Sequence, residues 1–229
     1  MQPAFIPVPE SVLPNGLTVP AFRVAQYHCG RNADGQAIVS PDVAPWVGIN
    51  YHAARQACTA IGAALLTETQ ALAIAHNLAA QPANWTGGAV GEGVLRQGLR
   101  NGTVDDPQPA SLEPGDPDES RWFTLFTGER ICDFSGNVFS WIFDDIQGNA
   151  DGITDRAFAE DSPSLQAPFA RMTKGMGWRP SAGTNWSGRA LLRGGCWYSE
   201  SDAGVFRLDL GWPGSAFGGV GFRCTLPGL

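Results

Sequence analysis

Glycine and proline are spread along the whole chain and limit it to short elements. The 229 residues include 29 glycines, 17 prolines and 8 tryptophans, while charged residues make up only 16%. Glycine and proline favour turns and interrupt helices, so many short strands are favoured over long helices. Because 43% of the residues are hydrophobic, the chain can also build a core. The composition predicts a loop-rich globular fold and excludes a helical bundle or coiled coil.

The charge balance limits the classes of partner. The formal net charge is −7, and Lys174 is the single lysine among 15 basic residues. Phosphate binding needs a basic face that this composition does not supply, so we expect no nucleic-acid partner. No stretch approaches the roughly 18 apolar residues of a membrane helix, and the N-terminus lacks the basic and apolar regions of a signal peptide. We therefore expect neither membrane insertion nor a signal peptide.

Cysteine usage points to reduced thiols. Five is an odd number, the positions are widely spaced, and no C-x-x-C pair occurs. A zinc ribbon or a complete disulfide framework is therefore not indicated. The five positions are Cys29, Cys58, Cys132, Cys196 and Cys224.

Two helices are predicted in the first third of the chain. Residues 1–20 are proline-rich and are expected to form an extended arm that packs along the domain. Apolar residues then recur at three- and four-residue spacing up to Leu65, which predicts a helix that begins near Asn50 as its cap. A second helical run is predicted over residues 71–79, with Thr67 and Gln70 forming a capping box at its start and Pro82 stopping it.

Strands dominate the rest of the chain. Alternating apolar residues predict strands in 22–27, 121–126, 131–143 and the terminal segment 190–226. Residues 84–120 and 144–188 are predicted to be long polar excursions on the surface. Since the helices come early and the strands late, the predicted class is α+β, with residues 21–229 as a single domain.

Three stretches, in order along the chain, carry a resemblance to a known family. They are residues 45–58 (PWVGINYHAARQAC) with 65–71 (LLTETQA), residues 136–141 (GNVFSW), and residues 192–197 (LRGGCW) with 221–224 (GFRC). Together they resemble the formylglycine-generating-enzyme branch of the C-type lectin fold over roughly residues 20–226. The resemblance implies a small twisted antiparallel sheet, two helices and long irregular insertions.

The catalytic members of this family oxidise a cysteine in a target protein. They resemble one another in a closely spaced cysteine pair downstream of a Gly-Gly-Ser-Trp-like motif. Here Cys196 takes the place of the serine, residues 198–202 contain no cysteine, and the next thiol is Cys224. This departure predicts that the chain is not an enzyme. A cysteine oxidase similar to the formylglycine-generating enzyme is the alternative.

Metal and cofactor sites are disfavoured. The Glu-Pro-Asn, Gln-Pro-Asp and Trp-Asn-Asp motifs of calcium-dependent sugar-binding lectins are absent. An acidic stretch offers oxygen ligands but lacks the glutamate of an EF-hand loop, so a solvated loop is favoured over calcium binding. We expect the three widely separated histidines to be isolated polar residues, and we expect no cofactor. The acidic stretch comprises Asp144, Asp145, Asn149, Asp151 and Asp155, and the histidines are His28, His52 and His76.

The segment from Ala203 onward has two different faces. Phe206, Leu208 and Leu210 alternate on one face of a predicted strand and are expected to be core. The opposite face mixes arginine, aspartate, large aromatics and small residues without a chemical theme. Such a mixture favours recognition, in which aromatics and arginine act as anchors.

This terminal segment resembles the variable region of proteins diversified by retroelements. In that family template adenines are randomised, so Asn codons become NNC or NNT, which never encode Trp, Glu, Lys, Gln or Met. No Lys, Gln or Met occurs between Cys196 and Gly219, whereas Glu200 and Trp212 depart from the rule. A natural, undiversified binding surface of the same fold is the other alternative.

The sequence therefore predicts a non-enzymatic ligand-binding protein with a variable region at about 190–224. Its partner is expected to be a protein or cell-surface ligand, met from a phage particle or a bacterial surface. The expected anchors are Tyr198, Arg207, Trp212 and Phe217, with Asp202 and Asp209 as charged discriminators. The side chains of Tyr198, Arg207 and Trp212 are expected to be solvated. The full set of predicted display residues is Cys196, Tyr198, Ser199, Asp202, Arg207, Asp209, Gly211, Trp212, Ser215, Phe217, Gly218 and Gly219.

Overall fold

A computed structural model describes residues 4–228 and contains short strands and two helices within that range. The helices are α1 (Tyr51–Ala60) and α2 (Glu68–Ala79). The strands are β1 (Phe5–Val8), β2 (Ser11–Val12), β3 (Thr18–Val19), β4 (Phe22–Ala25), β5 (Gly30–Arg31), β6 (Ala37–Ile38), β7 (Ala64–Leu65), β8 (Trp122–Thr124), β9 (Arg130–Cys132), β10 (Phe139–Ile142), β11 (Ala190–Gly194), β12 (Gly204–Gly211), β13 (Val220–Phe222) and β14 (Cys224–Pro227).

Two four-stranded sheets form the frame. The first has the order β1-β4-β14-β7 and brings the two ends of the described chain together. The second has the order β12-β11-β10-β13, in which β10 pairs with β13 in parallel and with β11 antiparallel. Three of its strands come from the terminal segment, and Trp141 on β10 is completely buried within the frame. The second sheet therefore positions the predicted variable region.

Both predicted helix starts are confirmed. The Asn50 side chain accepts a hydrogen bond from the Ala53 backbone N–H at 2.9 Å, and Thr67 and Gln70 form both bonds of a capping box. The predicted extension of the first helix to Leu65 is wrong. Helix α1 ends at Ala60 because Ala64–Leu65 pairs with β14 instead.

The N-terminal segment is paired into the first sheet. Strand β1 pairs with β4 in the register Phe5 to Ala25, while β2 and β3 form a separate two-stranded sheet. Ile6, Val8 and Leu13 are buried in the core. The predicted arm is thus an edge strand followed by a hairpin, and its residues 1–3 lie outside the described residues.

The two excursions contribute to the core, which corrects the prediction that they are surface segments. In 84–120, Trp85, Leu95 and Leu99 are buried, and the Trp85 indole donates to the Ala79 carbonyl at 2.9 Å. In 144–188, Phe158 and Trp186 are buried and pack edge to face. These apolar residues stand singly among glycines and prolines, so no periodicity marks them as core.

Candidate functional site

The second sheet presents the terminal segment on a rigid platform. On β12, Phe206 and Leu208 are buried as predicted, and Leu210 is half-buried against the same core. Strand β12 pairs with β11 from Ala190↔Gly211 to Arg193↔Leu208, and the register shifts between Arg193 and Gly194. At this shift the chain leaves the sheet and forms the loop that carries Tyr198.

Trp141 supports the second loop of the site, residues 212–219. Its indole donates to the Ile49 carbonyl at 2.9 Å, and its ring centroid lies 6.0 Å from that of Phe217. Gly211 lies directly against this ring, because a Cβ there would come within 2.6 Å of Trp141. The loop backbone is also fixed, since the Gly48 N–H donates to the Phe217 carbonyl at 3.0 Å.

Arg207 is a buried bridge, so the prediction of a solvated side chain is wrong. It retains 9% of its exposure, and its guanidinium lies 5.5 Å from the ring centroids of both Phe139 and Trp178. The same group contacts Asp202 at 2.8 Å and Asp209 at 2.7 Å. The Arg207 side chain therefore lies between the rings of Phe139 and Trp178. Its ion pairs connect the turn at Asp202 to strand β12.

Tyr198 and Trp212 are the large aromatic groups that the site exposes. Tyr198 is 61% exposed and meets Trp197 edge to face, whereas Trp212 is 57% exposed. The Arg189 guanidinium lies over the Trp212 ring, 3.1 Å from its centroid, and holds the indole against the surface. Both side chains are solvated, as the sequence predicted.

The predicted display residues differ in accessibility. Cys196 and Gly219 are buried, and the Cys196 backbone N–H donates to the Ser199 hydroxyl at 2.9 Å. Burial of these residues contradicts a role as exposed display positions in this structure. The exposed members are Tyr198, Trp212 and Gly218; the half-buried members are Ser199, Asp202, Asp209, Ser215 and Phe217; the buried members are Cys196, Arg207, Gly211 and Gly219.

A cleft of about 420 Å³ lies between the 3-10 turn Glu200–Asp202 and strand β12. Three carboxylates line it against a single guanidinium, and Arg207 already pairs with two of those carboxylates. Although the Tyr198 ring is largely exposed, partial burial of its hydroxyl and, second, the charge of the nearby Cys196 thiol raise the pKa of this hydroxyl. It therefore stays protonated at neutral pH. The lining residues are Phe139, Tyr198, Ser199, Glu200, Ser201, Asp202, Arg207 and Asp209.

The acidic stretch that begins at Asp144 is a folded loop. Asp144 is fully buried and accepts hydrogen bonds from the Gln147 N–H and the Thr154 hydroxyl, both at 2.8 Å. Burial, followed by the charge of Glu68, raises the Asp144 pKa. The prediction of a solvated loop is therefore wrong for this residue. Among residues 4–228, no three His, Cys, Asp or Glu side chains are grouped to hold a metal ion.

Distant parts of the sequence meet in a buried polar cluster around His28, so the prediction that this histidine is an isolated polar residue is wrong. The His28 imidazole contacts the Ser140 hydroxyl at 2.8 Å through Nε2 and the Arg223 guanidinium at 3.3 Å through Nδ1. Burial, followed by the charge of Arg223, lowers the His28 pKa well below its ordinary value, so the ring is neutral. His28 and Ser140 are 112 positions apart, so no local pattern indicates the pair.

All five cysteines are free and buried, in agreement with the prediction of reduced thiols. The sulfur atoms of Cys29 and Cys224 are in contact, and Cys58 is buried in the same core cluster. Burial raises the pKa of Cys58 and of Cys132, so these thiols are protonated at neutral pH. A buried, protonated thiol is a poor nucleophile and a poor metal ligand.

The fold and site define a small α+β domain that holds exposed loops on a rigid sheet. No protein-family model matches the chain, and no curated protein matches it. No helix among residues 4–228 has the length and apolar character needed to cross a membrane. Only the comparison of three-dimensional structures therefore relates this chain to known proteins.

Solved structures share this architecture. The U1 variant of the Major Tropism Determinant is 18% identical with a TM-score of 0.54, and the M1 variant is 17% identical with a TM-score of 0.55. Each aligns with 97% of this chain, which spans about half of their length (55% and 54%). PvdO from Pseudomonas aeruginosa is 13% identical with a TM-score of 0.55, over 98% of this chain and 94% of PvdO. The likeness confirms the predicted α+β fold of the C-type lectin type.

Proposed function

We propose that the chain is a non-enzymatic ligand-binding protein that displays a retroelement-diversified surface on its C-terminal strands and loops. It belongs, in this proposal, to the branch of the C-type lectin fold that is similar to formylglycine-generating enzymes. The partner is a protein or a cell-surface ligand met from a phage particle or a bacterial surface. The observation that carries the proposal is the pair of exposed aromatics, Tyr198 and Trp212, on a buried platform.

Physical reasons support a binding role for these aromatics. An exposed indole or phenol ring costs solubility in a stable monomer, whereas at an interface it supplies contact area with little loss of conformational entropy. Phe206 and Leu208 are fully buried beneath the surface, so changes in the loops leave the core unchanged. Two structural neighbours are named as tropism determinants, and this name supports a recognition role for the present chain as well.

The alternative of a cysteine oxidase receives less support. The cysteine pair in contact is Cys29 with Cys224, and both residues are fully buried. Their hydrogen bond and their burial raise the pKa of Cys29 well above its ordinary value. A cysteine of a target protein has no direct approach to this pair, whereas the exposed loops face solvent.

The neighbouring DNA tests diversification. The proposal requires a near-copy of the codons for residues 190–224 beside a reverse-transcriptase gene, with adenines at display codons. We expect adenines at the codons of exposed or half-buried residues such as Tyr198, Ser215 and Gly218. The codon of Gly211 should match its copy without change, because a side chain there meets Trp141. Absence of the copy would leave an undiversified binding module of the same fold.

Binding itself needs a separate experiment. A library randomised at Tyr198, Ser215 and Gly218 should yield binders to an unrelated folded protein used as the target. Their melting temperatures should remain within a few degrees of the parent. A matched library at the buried Cys196, Arg207 and Gly211 should yield mostly unfolded variants. Equal yields of folded binders from both libraries would refute the proposed display surface.

A further inference from the structure

A groove of about 540 Å³ lies beside residues 212–219, the display loop, and between the β5–β6 hairpin and helix α1. Its volume is within the range of small-molecule and side-chain pockets. The apolar part of its lining is made by Ala37, Trp46, Ile49, Ala53, Ala57, Ala60 and Ala216. Of these residues, Ala216 alone belongs to the terminal segment, so the groove is mostly fixed scaffold.

An exposed arginine, Arg31, lines this groove. The Arg31 guanidinium lies over the Trp46 ring, 4.8 Å from its centroid. On another side it passes close to Gly35, a left-handed turn residue (φ +81°) where a Cβ would come within 3.3 Å of Arg31 Nη2. Among residues 4–228, no carboxylate pairs with Arg31 within 4.0 Å. Stacking on Trp46 therefore orients an exposed guanidinium that no carboxylate of the described residues neutralises, on a protein whose net charge is −7.

Helix α1 lines the groove from its N-cap to its last residue, Ala60. Asn50, the N-cap, and Ala53 in the first turn both line it. The backbone dipoles place partial positive charge at this first turn, but the Ala53 N–H already donates to Asn50 and the Tyr51 N–H to the Pro213 carbonyl. The charge that attracts an anion is therefore mainly that of Arg31. Arg55, on the same helix, pairs with Asp151, so its charge is neutralised away from the groove.

We infer that this groove binds a carboxylate attached to an apolar group, as presented by an acidic or C-terminal peptide segment of the partner. The apolar group lies against Trp46 and Ala57, and the carboxylate pairs with the Arg31 guanidinium. The inference rests on the proposed function, because the Gly48–Phe217 hydrogen bond joins the groove to the display loop. Diversification would change the Ala216 wall while the cation and the apolar floor stay constant.

The probe is N-acetyl-phenylalanine, and its uncharged amide is the matched control. In ¹⁵N-resolved NMR titrations, the acid should shift the Trp46 indole N–H and the Ala53 and Ala57 amides saturably. We expect it to bind about fivefold more tightly than the amide, a difference of about 1 kcal/mol. Equal affinities of acid and amide, or shifts confined to other surfaces, would overturn the inference.

Three variants separate the contributions. Arg31→Gln should reduce the affinity for the acid to that for the amide, whereas Arg130→Gln, which removes an arginine 4.7 Å from the Trp122 ring centroid, should change neither affinity. Ala57→Leu should fill the groove and abolish binding of both probes. Unchanged melting temperatures show that the variants are folded. Retained preference for the acid in Arg31→Gln would refute the inference.

The groove inference and the proposed display function can be tested independently of each other. The double variant Tyr198→Ala, Trp212→Ala should bind N-acetyl-phenylalanine as the parent does, because neither side chain lines the groove. If acid and amide bind alike in the parent while library selection still yields binders, the groove inference is wrong and the proposed function stands. If the probe binds as expected and no library yields a binder, the proposed function is wrong.

Discussion

The sulfur atoms of Cys29 and Cys224 lie 3.3 Å apart, although 195 positions separate the two residues in the chain. Cys29 follows strand β4 and Cys224 begins β14, whereas Cys58 on helix α1 is buried in the same core cluster. Three thiols thus pack together between the elements that hold the two ends of the described chain together.

We predict that the folded protein hides all its thiols. Each cysteine is buried, and the Cys29–Cys224 hydrogen bond and burial raise the pKa of Cys29, so little thiolate forms near neutral pH. With an aromatic disulfide reagent at pH 8, the native protein should release no chromophore within minutes, and the denatured protein should release five equivalents. Cys196→Ser should lower the denatured value to four. Rapid reaction of any thiol in the native state would show that the packing is wrong.

Arg207 is expected to stabilise the fold. Its guanidinium packs against Phe139 and Trp178 and neutralises two partly exposed carboxylates. Replacement by alanine leaves a gap between the rings and should lower the free energy of unfolding by about 2 kcal/mol.

Urea denaturation measures this change, with two controls. Arg130→Ala removes an exposed arginine that lies over Trp122 and should cost less than about 0.5 kcal/mol. Tyr198→Ala should be equally mild, because that ring is solvated. If Arg207→Ala lowered the free energy of unfolding as little as both controls, the contacts of Arg207 would not stabilise the fold.

Two glycines of the terminal segment should respond differently to the same substitution. A Cβ at Gly211 would lie 2.6 Å from Trp141, whereas nothing lies within 4 Å of one at Gly218. Gly211→Ser should therefore lower the free energy of unfolding by about 2 kcal/mol, since overpacking forces the ring or the strand to move. Gly218→Ser should leave the melting temperature nearly unchanged. Equal melting temperatures for the two variants would contradict the assignment of Gly211 to the framework.

His76 should make the protein less stable in mild acid. Burial, followed by the charges of Arg193 and Arg179, lowers its pKa to about 4 in the folded state, from 6.5. The unfolded chain then binds more protons between these values, so this contribution to stability is complete above pH 6.5 and is lost as the pH falls toward 4. The loss is on the order of 1–3 kcal/mol.

The measurement compares the parent with His76→Gln in urea at pH 7 and pH 4.5. The parent should lose more stability than the variant, because the variant has no imidazole to protonate against Phe206, 4.9 Å away. The comparison between the two proteins removes the effects of His28, Asp144 and other groups they share. Identical losses would show that His76 does not carry the expected pH dependence.

Local features of the fold followed from the sequence. The capping box of Thr67 and Gln70 and the cap of Asn50 depend on contacts three residues apart, so residue types and spacing were sufficient to predict both helix starts. The alternation of Phe206 and Leu208 likewise predicted the buried face of β12. The α+β class followed from the order of these local patterns.

Pairing between distant segments was decided by the tertiary structure. Ala64 and Leu65 fit the helical period, but pairing with β14 placed them in a sheet. Arg207 alternates with core residues as an exposed residue would, yet Phe139 and Trp178, from other parts of the chain, cover that face. The sequence by itself determined helix starts, strand faces and the candidate recognition segment, because these depend on near neighbours. Which side chains of that segment reach solvent depended on packing against residues far away in the chain, and no local pattern records it.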